Sequence, residues 1–264
     1  YYISIARSVE DIVSRQNYNL MLCSTGNRQG RELDYLQMLM SKNIDGLILN
    51  TTGLNNDFIL EMNKKTPIVL LNRRIMHEKF KGDLVDTNSY LGCYKLTKQL
   101  LAMGHRKIYV VRGPAHLSNS FERFQGFADA MSEVGITIDN DYPYVYTGEF
   151  TLKSGEDSIH YMQQMEDMPT AILSQNNMTV GILKELRRCM IRIPEDISLV
   201  SYDSINYMDL MMTRPTSASF DMAAIGEKVG QLILNRIKNP ETPNREYIFD
   251  PTITPGNSLG IPRD

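Results

Sequence analysis

Short apolar runs alternate with amphipathic stretches almost from the first residue, and few folds accommodate that pattern. Ile5, Val9, Ile12 and Val13 recur at helical spacing, as do Leu33, Leu36, Leu39 and Met40. Further helices are expected around 58–62, 90–103, 120–133, 155–165, 178–189 and 225–237. Strands are expected at 20–23, 46–49, 68–71, 84–86, 108–111, 144–146, 171–173, 197–202, 217–220 and 247–249. Strands separated by helices of this length imply parallel sheets with helices on both faces. A (β/α)₈ barrel shares the alternation. The break at Gly113-Pro114 and the late extended pieces favour two doubly wound lobes instead. The expected fold is therefore α/β, with two parallel-sheet lobes. One lobe would comprise 1–113 plus 221–242, the other 114–220 plus 243–264. Such a sheet usually opens on a strand, whereas this chain opens on a helix at Tyr1-Tyr2, so a first strand is expected upstream.

A chain of 264 residues is long enough for two lobes of about 100–150 residues each. A net charge of −3 gives these residues no electrostatic reason to bind nucleic acid or an acidic membrane surface. Cys23, Cys93 and Cys189 are too few and too scattered for a disulfide framework, which points to a reducing, cytoplasmic setting. No apolar run approaches the roughly 18 residues a membrane span needs, so no membrane partner is expected. His77, His105, His116 and His160 show no metal-ligand spacing, and neither a phosphate-binding glycine loop nor a nucleophile elbow is present. No catalytic constellation emerges. The expectation is a protein that is not an enzyme and uses neither metal nor cofactor.

In an open α/β sheet the carboxyl ends of the strands line the ligand crevice. The run Ile197, Leu199, Val200 ends at Tyr202 and Asp203, a carboxylate suited to hydroxyl groups or, equally, to capping the next element. Gln175 and Asn176 end another strand with amides that both donate and accept, although Asn176 could cap the helix that follows. Asp86, Thr87 and Asn88 end a strand of the first half. Arg123 sits on the first helix after Gly113-Pro114 and offers a rigid fork of donors.

The opening run Tyr1-Tyr2-Ile3-Ser4-Ile5-Ala6-Arg7-Ser8-Val9-Glu10-Asp11 resembles the lactose/galactose repressor family of bacterial transcription regulators. So do Asn17-Tyr18-Asn19-Leu20, Ile44-Asp45-Gly46-Leu47-Ile48-Leu49 and Met103-Gly104-His105-Arg106-Lys107-Ile108. Arg123-Phe124-Gln125-Gly126-Phe127 and the stretch 193–203 complete a series that covers essentially all the chain. The resemblance implies an effector-binding domain with a periplasmic-binding-protein-like fold and a ligand cleft between its lobes. It further implies a homodimer that contacts operator DNA only through an N-terminal helix-turn-helix headpiece, which these residues do not include. A sugar or sugar derivative is the expected effector. A solute-binding protein of a sugar transporter is the alternative on the same fold.

Within that resemblance Arg123 matches the arginine of an Arg-x-x-Gly-Phe pattern that usually contacts ligand. Gln175-Asn176 stands where Asn-Asp is usual, which removes one negative charge. Phe150 falls where an aromatic ring often stacks on the ligand, and Phe220 where some members present a polar contact. Tyr1 and Tyr2 would flank the cleft mouth. Asp86, Thr87 and Asn88 would supply opposing hydrogen bonds, at a spacing to Gly92 about one residue from the usual.

Overall fold

A computed structural model describes residues 2–205 and 208–263; the side chain of Asn176 also lies outside the description. In chain order the elements are α1 (Tyr2–Val13), α2 (Gln29–Ser41), β1 (Leu47–Leu49), α3 (Asn56–Asn63), β2 (Ile68–Leu71) and β3 (Asp83–Thr87). Then come α4 (Ser89–Ala102), β4 (Ile108–Arg112), α5 (Ser118–Ser132), β5 (Val145–Thr147), α6 (Leu152–Met162) and β6 (Ala171–Gln175). The chain closes with α7 (Asn176–Arg188), β7 (Ser198–Tyr202), β8 (Thr216–Ser219), α8 (Met222–Lys238), β9 (Glu246–Phe249) and β10 (Thr252–Thr254).

Two compact units result, Tyr1–Thr87 with Asp221–Phe249 and Asn88–Phe220 with Asp250–Asp264. The first holds a parallel sheet in the order β1-β2-β3-β9. Every residue of β2 is buried, as expected of a parallel strand covered on both faces. Helix α1 buries Ile5, Val9 and Val13, one residue per turn, in line with its sequence period. The second unit holds a sheet in the order β10-β8-β7-β6-β4-β5. Its strands are parallel except β10, which runs antiparallel to β8. From β4 the chain goes first to β5 on one side and then to β6 on the other. That reversal opens a crevice at the carboxyl ends of β4 and β6. Among the described residues no helix is long and apolar enough to cross a membrane.

Two separate sheets exclude the barrel, and three details differ from the sequence reading. Residues 20–23 form no strand, and Leu20, Met21 and Leu22 are exposed. An apolar run becomes a strand only beside a hydrogen-bonding neighbour, and no described strand pairs with it. The boundaries expected at 113 and 242 also shift. Strand β4 is hydrogen-bonded inside the second sheet, which carries 88–113 into that unit. Strand β9 pairs with β3, which keeps 243–249 in the first. Finally, β10 had no sequence signal, because a short Thr-Ile-Thr segment lacks the apolar run of a central strand.

His105 fastens the tail of the second unit. Its Nε2 donates to the Gly260 carbonyl at 2.9 Å, which leaves Nδ1 to accept from the Thr170 hydroxyl at 2.8 Å. Burial holds this imidazole below its ordinary pKa, so the native state keeps it neutral. A depressed histidine pKa means the unfolded chain takes up the proton first, and stability falls as pH drops below about 6.5. Urea midpoints measured from pH 8 to pH 5 are expected to decline less steeply in His105→Gln than in the native chain. Parallel profiles would refute a contribution from this histidine.

Candidate functional site

The second unit gathers polar side chains at the carboxyl ends of its parallel strands. Arg112 ends β4, Ser174 and Gln175 end β6, Tyr202 ends β7, and Asp203 follows directly. Helix α5, entered from β4 through Gly113-Pro114, carries Arg123 over the same edge. Arg123 is buried, with its guanidinium carbon 3.8 Å from the centre of the Tyr202 ring and Nη1 donating to Gln175 Oε1. Stacking covers one face of the cation and holds its donors in the plane of the guanidinium. Gln175, turned with its oxygen toward Arg123, keeps its amide N–H groups as donors.

Asp203 is buried in the left-handed conformation, φ 69°, which aspartate tolerates better than most side chains. Its N–H donates to the Ala218 carbonyl at 3.0 Å, and its own carbonyl accepts from Ser201 Oγ at 3.0 Å. Among the described residues no helix starts at Asp203 itself. Cys93 on α4 feels both charged neighbours. Burial pushes its thiol up to about 12; Arg123 pulls it back and Asp203 adds to the rise. This cysteine is a neutral packing residue, on which Arg123 and Asp203 act in opposite directions.

Tyr202 links these parts. Its hydroxyl lies 3.3 Å from Ser89 Oγ, and its ring meets Phe220 at 5.5 Å between centroids. A Cβ on Gly92 would come within 2.6 Å of that ring, so α4 needs a glycine there to leave room for it. Phe220 thus joins the cluster through Tyr202. Phe150 joins at the other edge, where its ring lies against Gly113 so closely that a Cβ there would sit 2.2 Å from Cζ.

Asp86 and Thr87 are buried at the end of β3 in the first unit, where Asp86 pairs with Arg74 Nε at 3.3 Å and accepts the Thr87 N–H at 2.8 Å. Asn88 caps α4 by accepting the Leu91 N–H at 3.0 Å and donates to Asp250 at 2.8 Å. Tyr2 is partly exposed on α1. Tyr1 lies outside the described residues, and only the backbone of Asn176 is described, as the first residue of α7. Sequence reasoning passed over Arg112, Ser174 and Tyr202, although the rule that selected Asp203 would have found them. It also passed over Arg73 in the first unit, which donates to Asn27 Oδ1 at 2.7 Å and to the Thr51 carbonyl at 2.6 Å. Among the described residues no group of three or more His, Cys, Asp or Glu side chains is placed to hold a metal ion.

Residues 97–259 match the family model described as a periplasmic binding protein-like domain. The chain belongs to that family. Its curated relatives are HTH-type transcriptional repressors, and solved LacI family regulators share its fold. The HTH-type transcriptional repressor PurR of Aliivibrio salmonicida is 28% identical over 98% of this chain and 78% of its own length. PurR of Vibrio cholerae is 29% identical over 96% of this chain and 75% of its own. Among solved structures, a LacI family transcriptional regulator from Enterococcus faecium with bound ribose superposes with a TM-score of 0.87 at 24% identity. It covers 99% of this chain and 95% of its own. A CelR–cellobiose complex gives 0.86 at 22% identity, over 98% of this chain and 79% of that one.

Proposed function

We propose that Arg123, Gln175 and Asp203 form the effector site and that the effector is a small sugar-like molecule. The supporting observation is a buried arginine, amide and carboxylate at the carboxyl edge of one parallel sheet, beside its topological reversal. Hydroxyl groups both donate and accept, so a polyol can give a hydrogen bond to Asp203 and take others from Arg123 and the Gln175 amide. Tyr202, Phe220 and Phe150 add apolar surface for C–H faces. Structures of the same fold carry ribose and cellobiose, which agrees with this chemistry.

The bound effector would act by favouring one conformational state over another, since only differential affinity shifts an equilibrium. In a cytoplasmic homodimer that change would reset the spacing of helix-turn-helix headpieces on operator DNA. Effectors are to be sought by thermal-shift screening of ribose, cellobiose and their derivatives, because a ligand bound only by the folded state raises the melting temperature. Arg123→Ala and Asp203→Ala are each expected to weaken effector binding by about 2 kcal/mol, the scale of a lost charge-assisted hydrogen bond. Calorimetric affinities unchanged in both variants would move the site elsewhere.

A further inference from the structure

The arginines of this protein differ in their company. Arg236 pairs with Asp83, Arg74 with Asp86 and Glu246, Arg73 with Asn27 and Thr51, and Arg123 with Gln175. Arg112 is half-buried, yet it forms neither an ion pair nor a side-chain hydrogen bond among the described residues, and its Nε is buried without a partner. Its guanidinium carbon lies 4.1 Å from the centre of the Phe124 ring. Burial lowers its pKa with no anion to oppose the shift, although an arginine still keeps its proton at any physiological pH.

Ser174 is buried as well, and its hydroxyl also lacks a partner among the described residues. Arg112 and Ser174 line one small cavity together with Arg123, Gln175, Cys93 and Phe124, and no acidic side chain lines it. Its free space of about 10 Å³ admits one oxygen atom, either a water or a single oxygen of a larger oxyanion, beside the serine hydroxyl. A neutral water does not offset the half-buried positive charge of Arg112. An anion does. Stacking on Phe124 covers a face of the guanidinium and keeps the edge donors in plane, the arrangement that grips a carboxylate or phosphoryl group with two parallel bonds.

We propose that Arg112, with the Ser174 hydroxyl beside it, forms an oxyanion subsite, so that the effector is an acidic sugar derivative bearing a phosphoryl or carboxylate group. This rests on the strand-end cluster being the effector site. Arg123 and Asp203 take the hydroxyl groups, and Arg112 selects for charge.

The test uses inorganic phosphate and acetate, each titrated at constant ionic strength while thermal unfolding is followed. Phosphate stands for a phosphoryl group and acetate for a carboxylate, and the anion with the larger saturable shift identifies the source. The native chain is expected to be stabilised saturably by at least one of them. Arg112→Met, which keeps an aliphatic stem over Phe124, is expected to bind that anion about tenfold more weakly or not at all, and Arg112→Lys to fall between. Each variant is compared with its own anion-free melting temperature, so a change in basal stability does not enter. Equal shifts in the native chain and Arg112→Met, as a general salt effect would give, would overturn the subsite. So would no saturable shift from either anion. Neutral-sugar binding that depends on Arg123 but not Arg112, without an Arg112-dependent anion shift, overturns this inference alone. An Arg112-dependent shift alongside sugar binding indifferent to Arg123 overturns the effector-site reading, and with it the acidic-effector assignment, and leaves only an anion subsite.

Discussion

Arg236→Ala is expected to cost about 3–5 kcal/mol of folding stability, the range for removing one partner of a buried ion pair. Arg236 is 2% exposed and Asp83 0%, so neither charge falls back on water. The guanidinium donates twice to Asp83 and also to the carbonyls of Thr242 at 2.6 Å, Pro243 at 3.2 Å and Pro240 at 3.3 Å. Asp83 in turn accepts the Arg245 N–H at 2.8 Å. One side chain therefore ties the end of α8 and the 239–245 loop to the start of β3. Its removal leaves a buried carboxylate with one backbone donor and three carbonyls without their arginine. Removing both charges, as in Arg236→Met with Asp83→Leu, is expected to cost less than the two single losses combined, because no uncompensated charge remains. Guanidinium chloride unfolding of the native chain, Arg236→Ala, Arg236→Met, Asp83→Leu and the double variant checks this. A loss below about 1 kcal/mol for Arg236→Ala, the level of an exposed pair, would contradict the buried-lock reading.

Gly126→Ala is expected to damage both fold and site. An added Cβ would lie 2.2 Å from the Tyr90 carbonyl oxygen and 3.0 Å from the Tyr94 nitrogen, which are backbone atoms of α4 that cannot turn aside. The two helices must separate, at a cost of roughly 1–3 kcal/mol for overpacking. Gly126 follows Arg123 by one turn on the same face of α5, so the displacement moves the guanidinium away from Tyr202 and Gln175. Effector affinity should fall with stability. Gly30→Ala is the control, because a Cβ there meets nothing within 4 Å. Equal unfolding midpoints for the two variants would show that α4 and α5 tolerate the extra atom.

The alternation was legible because burial on both faces of a parallel strand demands a continuous apolar run. Ile68–Leu71 reads as a strand, and is one over the same residues. Gln175 was singled out for a related reason, as a polar residue at the end of such a run, and Arg123 by its Arg-x-x-Gly-Phe pattern on the helix that follows β4. Legibility stopped where a partner decides the outcome. Residues 20–23 have the composition of a strand without a strand beside them, whereas β10 has a neighbour in β8 and almost no composition. The contacts of Asp86 with Arg74, and of Asn88 with Leu91 and Asp250, depend on residues that the sequence does not place beside them. Arg112 was missed in the opposite sense. A charged residue closing a strand reads as a solvated end, and only the structure shows that it stacks on Phe124 without an anion.

The route of the chain sets a timetable for its own synthesis. Strands β1 to β3 are complete by residue 87, but the second neighbour of β3 in the same sheet is β9, made after the main body of the second unit. Asp83 waits 153 positions for Arg236. At about 5–20 residues per second that is roughly 8–30 s on a ribosome. For that interval β3 presents an open edge, a template for pairing with the wrong strand. A ribosome that stops after the second unit's β8 but before Phe249 therefore releases a chain whose defect lies in the unit it made first.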